Sequence, residues 1–558
     1  MVPMHVLSAA EMQACDRLTT ERFGIPSLEL MRAASAAVAS FAREQFPAAR
    51  RVTVLCGRGN NGGDGMMTAR LLSLAGLEVT ALLLGSPEKL AGDAATAWSE
   101  LTGSGPMQGR VHVILEAAEL TQHKDALEAD LIVDAVVGTG FKPPLRGLAL
   151  EALEWLCSSA APVLAVDLPS GWPADETNAE VENLVYPADA VLTFTAPKPA
   201  HVFGHLTRRW NQPVVVAPIG SPEEAIRASL EEASQRTIWA ASAMKLVQAP
   251  RAAMANKGRF GHVLVVGGSF GSAGGKAGAP SMASLAALRS GAGLVTAAVP
   301  APALAVVASL APELMTWPLA SNSSGQISAE SLGTEAFATL IAGKTVLAIG
   351  PGMGQAPETA KFFAGMLAAT EMPIVIDADA LNLLAAQPAL LGVLAEQARD
   401  GRTVVLTPHP GEMARLTALT VEEVQRDRLW VARAFAQQTG LTLVLKGART
   451  LIAHPDGQVA VNTTGNPGMA KGGSGDLLTG LIAGLLAQYP AEAARAVEAA
   501  VYLHGLAGDL AVRSSDEHAL LATDSLAWLS QAFRFPIRGE NGYLWLQGLP
   551  SATPHEAA

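Results

Sequence analysis

The sequence predicts two α/β domains in tandem, each built on a mainly parallel, doubly wound sheet. Short β-rich runs alternate with helical stretches from residue 51 onward, which is the pattern of such sheets. After an acidic, then Ala- and Ser-rich interval at 221–250, the alternation starts again. Composition agrees, with 49% apolar and only 16% charged residues in 558, as sheets covered on both faces require. A chain of this length exceeds what one core can organise.

Up to about residue 45, apolar side chains at helical spacing (Leu18, Phe23, Leu28, Leu30, Met31) predict helices. The first set of strands is Val52–Cys56, Val79–Leu84, Leu131–Val137, Val163–Val166, Ala190–Phe194 and Val214–Ala217. Residues 221–250 show no clear strand and serve as the boundary. The second set is Val263–Val266, Leu294–Val299, Val346–Ile349, Ile374–Ile376, Val404–Leu406 and Leu443–Leu445. No motif order repeats between the halves, so the chain reads as a fusion. The boundaries are 1–225 and 226–535, with 536–558, a mixture of Pro, Gly, Trp and Ser ending in Ala-rich polar sequence, as a loose tail.

A formal charge of −12 without any Lys/Arg run argues against nucleic acid as a partner. Cys15, Cys56 and Cys157 are widely spaced and form neither a disulfide framework nor a zinc motif, which fits a reducing cytoplasm. Glu11 and Asp16 interrupt any signal-like start, and no apolar run approaches the ~20 residues that span a bilayer. The expectation is a cytoplasmic enzyme without a membrane partner.

In an α/β sheet, ligands lie beyond the carboxyl ends of the strands. Val52–Cys56 runs into Gly57-Arg-Gly-Asn-Asn-Gly-Gly-Asp-Gly65, with a helix expected from Met66. Gly57, Gly59 and Gly62 have dinucleotide-fingerprint spacing, but Glu78–Leu84 ends in Gly85-Ser86 without the acid that would hold a ribose hydroxyl. The polar insert Asn60–Asp64 instead offers hard oxygen ligands suited to a hard cation. Two further strand ends add Asp134, and Asp167 with Ser170. Each Asp alone could cap a turn; three polar turns at one sheet edge favour a site.

In the second half, Asn466-Pro-Gly-Met-Ala-Lys-Gly-Gly-Ser-Gly-Asp476 leads into a helix expected over Leu477–Gln488. Backbone N–H groups of a glycine-rich turn at a helix N-terminus bind phosphate oxygens, which places Asp476 beside a nucleotide. Leu441–Leu445 reads as a buried strand ending in Lys446-Gly447, a second phosphate-type segment. Walker A is absent: Gly343-Lys344-Thr345 lacks its upstream glycine, and Gly275-Lys276 is followed by Ala277. His409 stands between two prolines in Thr407-Pro-His-Pro-Gly-Glu-Met413, and Ile349-Gly-Pro-Gly-Met-Gly354 is another strand-to-glycine loop. Gly278-Ala279 opens an Ala-rich helix, and Asp377 and Asp379 follow Ile374–Ile376, with helix capping as the plain alternative to substrate or metal organisation.

These segments are identified by resemblance. Asn60–Gly65, Gly138-Thr-Gly-Phe-Lys-Pro-Pro-Leu-Arg-Gly147 and Val166-Asp-Leu-Pro-Ser-Gly171 resemble the epimerase domain of the bifunctional NAD(P)H-hydrate repair enzymes. The second half is similar to their ADP-dependent dehydratase domain, and the likeness covers roughly residues 5–535 in the family's order. The resemblance implies a Rossmann-like three-layer epimerase domain and a ribokinase-like α/β dehydratase domain. It implies a K+ ion near Asn61, Asp134 and Ser170. It implies contact between hydrated NADH or NADPH and Asn60, Asn61, Gly62, Gly63, Asp64, Gly138, Thr139, Gly140, Phe141, Lys142, Pro143, Pro144 and Asp167. For the dehydratase it implies ADP on Lys446, Gly447, Ala448, Arg449, Thr450 and Gly475, with Mg2+, and the hydrate against Ala279, Gly352, Gly354, His409 and Asp476. Asp167 and Asp476 are the expected catalytic residues, and a homo-oligomer is expected. The chain departs from the family at Leu30-Met-Arg-Ala-Ala-Ser35, where an acidic-Asn-Ala-Gly pattern is usual, which puts a role for the N-terminal helix in doubt. The alternatives are an ATP-dependent kinase for a thiazole- or pyridoxal-type alcohol and a non-catalytic nucleotide-binding scaffold.

Overall fold

The computed structural model describes residues 4–103, 107, 110–233, 237–242, 244–272, 274–536 and 541–550. The chain divides into two compact units, one comprising residues 4–237 with 536–558 and the other 238–535 with 1–3. The division falls between Thr237 and Ile238 rather than at 225.

In the N-terminal unit the strand order is Leu544–Gln547, Val214–Ala217, Ala190–Phe194, Val163–Val166, Leu131–Ala135, Arg51–Cys56, Glu78–Leu84 and Val111–Ile114. All neighbours pair in parallel except the first, which is antiparallel to Val214–Ala217. Alternation along each strand builds three layers. Val52, Val54 and Cys56 face a core formed with Val38, Phe41 and Met66, whereas Leu55 and Ile132 face another with Leu153 and Tyr186. The order of connection reverses between Arg51–Cys56 and Leu131–Ala135, and the crevice beyond that reversal is where an α/β sheet binds ligands.

The segment expected as a loose tail contains a strand. Leu544–Gln547 completes the first sheet, with Tyr543, Leu544 and Leu546 buried. The Tyr543 hydroxyl donates to the Ala37 carbonyl at 3.1 Å, and its ring meets Phe41 edge-on. Residues 537–540 and 551–558 of that segment lie outside the described residues.

The C-terminal unit carries parallel strands in the order Met315–Leu319, Leu294–Pro300, His262–Val266, Val346–Ile349, Ile374–Ile376, Val404–Leu406 and Thr442–Leu445. The sheet continues through the antiparallel strands Leu451–Ala453 and Val459–Val461, and Ile238–Ala240 pairs in parallel with the latter. That last strand lies within the interval expected to contain none. Val263–Val266 and Leu347–Ile349 are fully buried, which explains the unbroken apolar runs by which they were readable. Among the described residues, no helix is long and apolar enough to cross a membrane.

Candidate functional sites

The N-terminal site is built where three strands end. The helix expected from Met66 begins at Asn60, so the polar insert is its first turn, and Leu131–Val137 stops as a strand at Ala135. The turn into this helix is tight: a Cβ on Gly57 would lie 1.9 Å from the Val136 carbonyl oxygen, and one on Gly62 1.8 Å from that of Gly57. The close approach seats Asn61 inside the crevice, where its amide nitrogen and oxygen are buried without a hydrogen-bond partner among the described residues. A buried amide left so is costly unless a ligand meets it. Asp134, fully buried, accepts from the Ser170 N–H at 2.8 Å and from the Ser170 hydroxyl at 2.6 Å. Burial raises the Asp134 carboxyl to about 6, and the Ser170 bonds oppose it. The Val137 N–H in turn donates to Ser170 Oγ at 2.9 Å.

Asp167 sits at the centre, with its backbone in the left-handed region at φ 66°. One carboxylate oxygen accepts from the Thr139 N–H at 2.9 Å and from the Thr139 hydroxyl. The other accepts from Thr193 Oγ1 at 2.9 Å and from Lys198 Nζ at 2.8 Å. Burial works against this charge, but the Lys198 ammonium and the other donors outweigh it and hold the carboxyl well below the usual carboxylate range. His201 Nε2 lies 2.7 Å from the Asp167 carbonyl oxygen. Burial, reinforced by Lys198, lowers the imidazole to about 4. Asp64 is different: it makes no hydrogen bond or ion pair among the described residues, and burial, Asp167, Asp16 and Asp93 together push its carboxyl well above the usual range. Burial also raises Asp16, on the helix Ala9–Glu21, to about 6, and Lys198 and Asp167 act on it; the helix Ser27–Gln45, which carries Leu30–Ser35, is a separate element. Of the expected loop, Gly138 and Thr139 approach Asp167; Gly140 is exposed, Phe141 packs on the core, and Lys142, Pro143 and Pro144 are exposed. Lys198, His201 and Thr193 were not anticipated, although Thr195-Ala-Pro-Lys-Pro follows a strand at the same edge and the reasoning that found Asp167 applies there equally.

In the C-terminal unit the glycine-loop helix begins at Ser474, three residues before the expected start, and Gly473 precedes it at φ 98°. Gly475 and Asp476 therefore occupy its first turn. A Cβ on Gly475 would stand 3.4 Å from Lys446 Nζ and 3.8 Å from Asp377 Oδ2. The two phosphate-type segments, distant in sequence, are thus brought together. Lys446 Nζ pairs with Asp377 Oδ1 at 2.6 Å and lies 3.8 Å from Glu412, and Thr479 Oγ1 donates to Asp377 Oδ2 at 2.7 Å. Asp379 accepts from the Gly354 N–H at 3.0 Å and Gln355 Nε2 at 2.9 Å, with Lys276 Nζ at 3.4 Å. Asp377 is thus an organiser of Lys446 and Asp379 of the Gly350–Gly354 turn. Gly352, at φ 67°, backs onto Lys276 and Ala279, its Cβ position falling 3.3 Å from Ala279 Cβ.

His409 is the N-cap of the helix Pro410–Thr417, Nδ1 accepting from the Gly411 N–H at 3.0 Å. Its other ring nitrogen is 3.4 Å from Glu412. The loop Lys446–Thr450 is braced from behind by Arg428, which donates to the carbonyls of Leu445 and Ala448. Arg449, at φ 55°, donates to the Thr463 carbonyl at 2.8 Å, and the Thr450 hydroxyl donates to the Gly447 carbonyl at 2.9 Å. Asp476 has no hydrogen bond or ion pair among the described residues. Burial first, then the Asp377 carboxylate, raises its carboxyl to about 7, and Lys446 only partly offsets them. Lys276, Glu412, Thr479 and Arg428 are the members of this site that sequence reasoning missed.

Residues 263–529 match the family described as NAD(P)H-hydrate dehydratase, and residues 27–200 match the family described as YjeF-related protein N-terminus. The bifunctional NAD(P)H-hydrate repair enzyme of Moorella thermoacetica is 41% identical over 539 residues, 95% of this chain and 97% of that one. The enzyme of the same description from Coxiella burnetii is 36% identical, covering 92% and 96% respectively. A crystal structure of the ADP/ATP-dependent NAD(P)H-hydrate dehydratase from Bacillus subtilis, co-crystallised with ATP/Mg2+, is 32% identical over 52% of this chain and 96% of that one, with a TM-score of 0.43.

Proposed function

The chain belongs to the family of bifunctional NAD(P)H-hydrate repair enzymes, and from that premise we propose that its two units act in series on hydrated NADH or NADPH. The N-terminal unit interconverts the R and S hydrates, and the C-terminal unit dehydrates the S hydrate in an ADP-dependent reaction. One observation supports this reading above others. Each unit gathers several strand-end loops around one aspartate, in a chain that matches over 95% of its length a relative named as a bifunctional NAD(P)H-hydrate repair enzyme.

Epimerisation has to break and remake a bond at the hydrated ring carbon, either by opening the ring or by exchanging the hydroxyl. Asp167 is the proposed carboxylate at that carbon, within a cradle formed by Asn60–Asp64 and Gly138–Pro144. K+ fits Asn61, Asp134 and Ser170, because the Asn61 amide is buried with no partner among the described residues. It supplies a fixed positive charge for an oxygen-rich substrate.

For dehydration, the ring nitrogen's electrons expel the hydroxyl once it is a better leaving group. A kinase-like site makes it one by transferring the terminal phosphoryl group of ADP to the hydroxyl oxygen while Asp476 takes the hydroxyl proton, which leaves AMP. Inorganic phosphate then departs, and loss of a proton from the neighbouring ring carbon restores the double bond. The Asp476 carboxyl, raised to about 7, suits transfer near neutral pH. Lys446–Thr450 and Gly475 hold the nucleotide, and Ala279, Gly352, Gly354 and His409 line the hydrate. Asp377, Asp379 and Glu412 already accept protein donors and Asp476 is assigned to the proton, so an accompanying Mg2+ would enter with the nucleotide phosphates. Mg2+ supplies charge neutralisation on the phosphates.

The test is to incubate both NADPH-hydrate epimers with the protein and ADP, ATP or neither, following return of the reduced-nicotinamide absorbance. Full recovery with ADP is expected. A stall near half recovery removes the epimerase assignment, and phosphorylation of a vitamin alcohol without any recovery replaces the reading with a kinase.

A further inference from the structure

We infer that Lys198 and His201 are positioning residues of the epimerase: Lys198 fixes the Asp167 carboxylate, and His201 fixes the Asp167 backbone. The inference rests on the proposed epimerase reading and adds two residues outside the loops assigned to substrate.

The segment Thr193-Phe-Thr-Ala-Pro-Lys198-Pro-Ala-His201 leaves the strand next to the one that ends at Asp167. Lys198 is 2% exposed and His201 fully buried. A lysine seldom accepts such burial without a strong partner, and here Nζ lies 2.8 Å from both Asp167 Oδ1 and Thr193 Oγ1. The three groups close a triangle, since Thr193 Oγ1 also donates to Asp167 Oδ1 at 2.9 Å. With Thr139 on the other oxygen, the carboxylate has donors on both sides and one available orientation.

The backbone is held separately. An aspartate at φ 66° occupies a strained region that persists only when its surroundings impose it. The Lys198 N–H donates to His201 Nδ1 at 2.9 Å, so that nitrogen carries no proton. The proton is therefore on Nε2, which donates to the Asp167 carbonyl at 2.7 Å. Lys198 consequently sets the histidine tautomer through its main chain and the carboxylate orientation through its side chain. Asp64 and Asp16 face the same pocket from the helices Asn60–Leu74 and Ala9–Glu21. Against two further carboxyls, an Asp167 left without its lysine would turn away or take up a proton.

The test uses the full chain, whose dehydratase activity on the S hydrate serves as an internal control for folding. Glutamine can reproduce an Nε2 donor and asparagine cannot, so the His201 pair separates positioning from simple packing. We expect His201→Asn to lower epimerase kcat by about tenfold or more, with KM within about twofold. His201→Gln should return to within about threefold of wild type. Lys198→Met should lose epimerase kcat at least as severely, and thermal unfolding of each variant shows whether its N-terminal unit remains intact. The inference is overturned if His201→Gln and His201→Asn behave alike, if KM moves while kcat does not, or if a folded Lys198→Met keeps the wild-type rate. A wild-type protein that never interconverts the epimers instead removes the epimerase reading on which this rests.

Discussion

Asp167 and Asp476 both stand where a strand or glycine loop opens onto a site, yet their surroundings are opposite. Asp167 accepts from Thr139, Thr193 and Lys198 and is held ionised in one orientation. Asp476 has no donor among the described residues and has Asp377 nearby, so it is poised to gain or lose a proton near neutral pH. The same side chain is made a fixed anion in one unit and a titrating group in the other. The difference lies in whether a buried cation points at the carboxylate itself: Lys198 does, whereas Lys446 is taken by Asp377.

Exchanging each carboxylate for an amide is the most severe way to break this comparison. Asp476→Asn should reduce dehydration of the S hydrate by ~10²–10⁴-fold while leaving epimerisation intact. Asp167→Asn should do the reverse, so that recovery from mixed epimers stalls near half. A folded single variant that loses both activities contradicts the division of labour.

The pH dependence sharpens it. With Asp476 as proton acceptor, dehydratase kcat should fall about tenfold per unit as pH drops below about 7. Asp167 contributes no such limb to the epimerase in the same range, because it stays ionised. An epimerase profile with the same acid limb would show that the two aspartates are not electrostatically distinct.

The units should also separate in stability. Truncation after Pro536 removes Tyr543, Leu544 and Leu546 from the first sheet and should lower the melting temperature of the N-terminal unit by roughly 5–10 °C. Dehydratase activity should survive. Calorimetry showing no change in the first unit would mean that the strand adds no stability.

The smallest effect concerns Asp476 itself. Its folded-state carboxyl is raised above the ordinary value, so its contribution to stability is full below about 4 and is lost as pH rises through about 7. Asp476→Asn, which never ionises, should melt about 2–4 °C higher than wild type above pH 7 and no higher at pH 4. A lower melting temperature at high pH would show that the ionised carboxylate is stabilised in place.

Legibility in the sequence followed burial. Val163–Val166, Ala190–Phe194, Val346–Ile349 and Ile374–Ile376 begin and end where their apolar runs do. The missed strands were short or lay toward sheet edges. Val111–Ile114 is only partly buried and carries His112, and Met315–Leu319 contains Pro318, a residue that edge strands tolerate. Leu544–Gln547 was hidden by its polar neighbours and its distance in sequence from Val214–Ala217.

The sequence by itself determined the two α/β units, the glycine-rich strand ends and the identities of Asp134, Asp167 and Asp476, because periodicity and turn chemistry are local. Only the tertiary structure decided what each aspartate is. It placed Lys198 and His201 around Asp167 and paired Lys446 with Asp377 rather than Asp476. The charge state of a buried carboxyl depends on which side chains arrive from other strands within a few ångströms, and no run of neighbouring residues encodes that meeting.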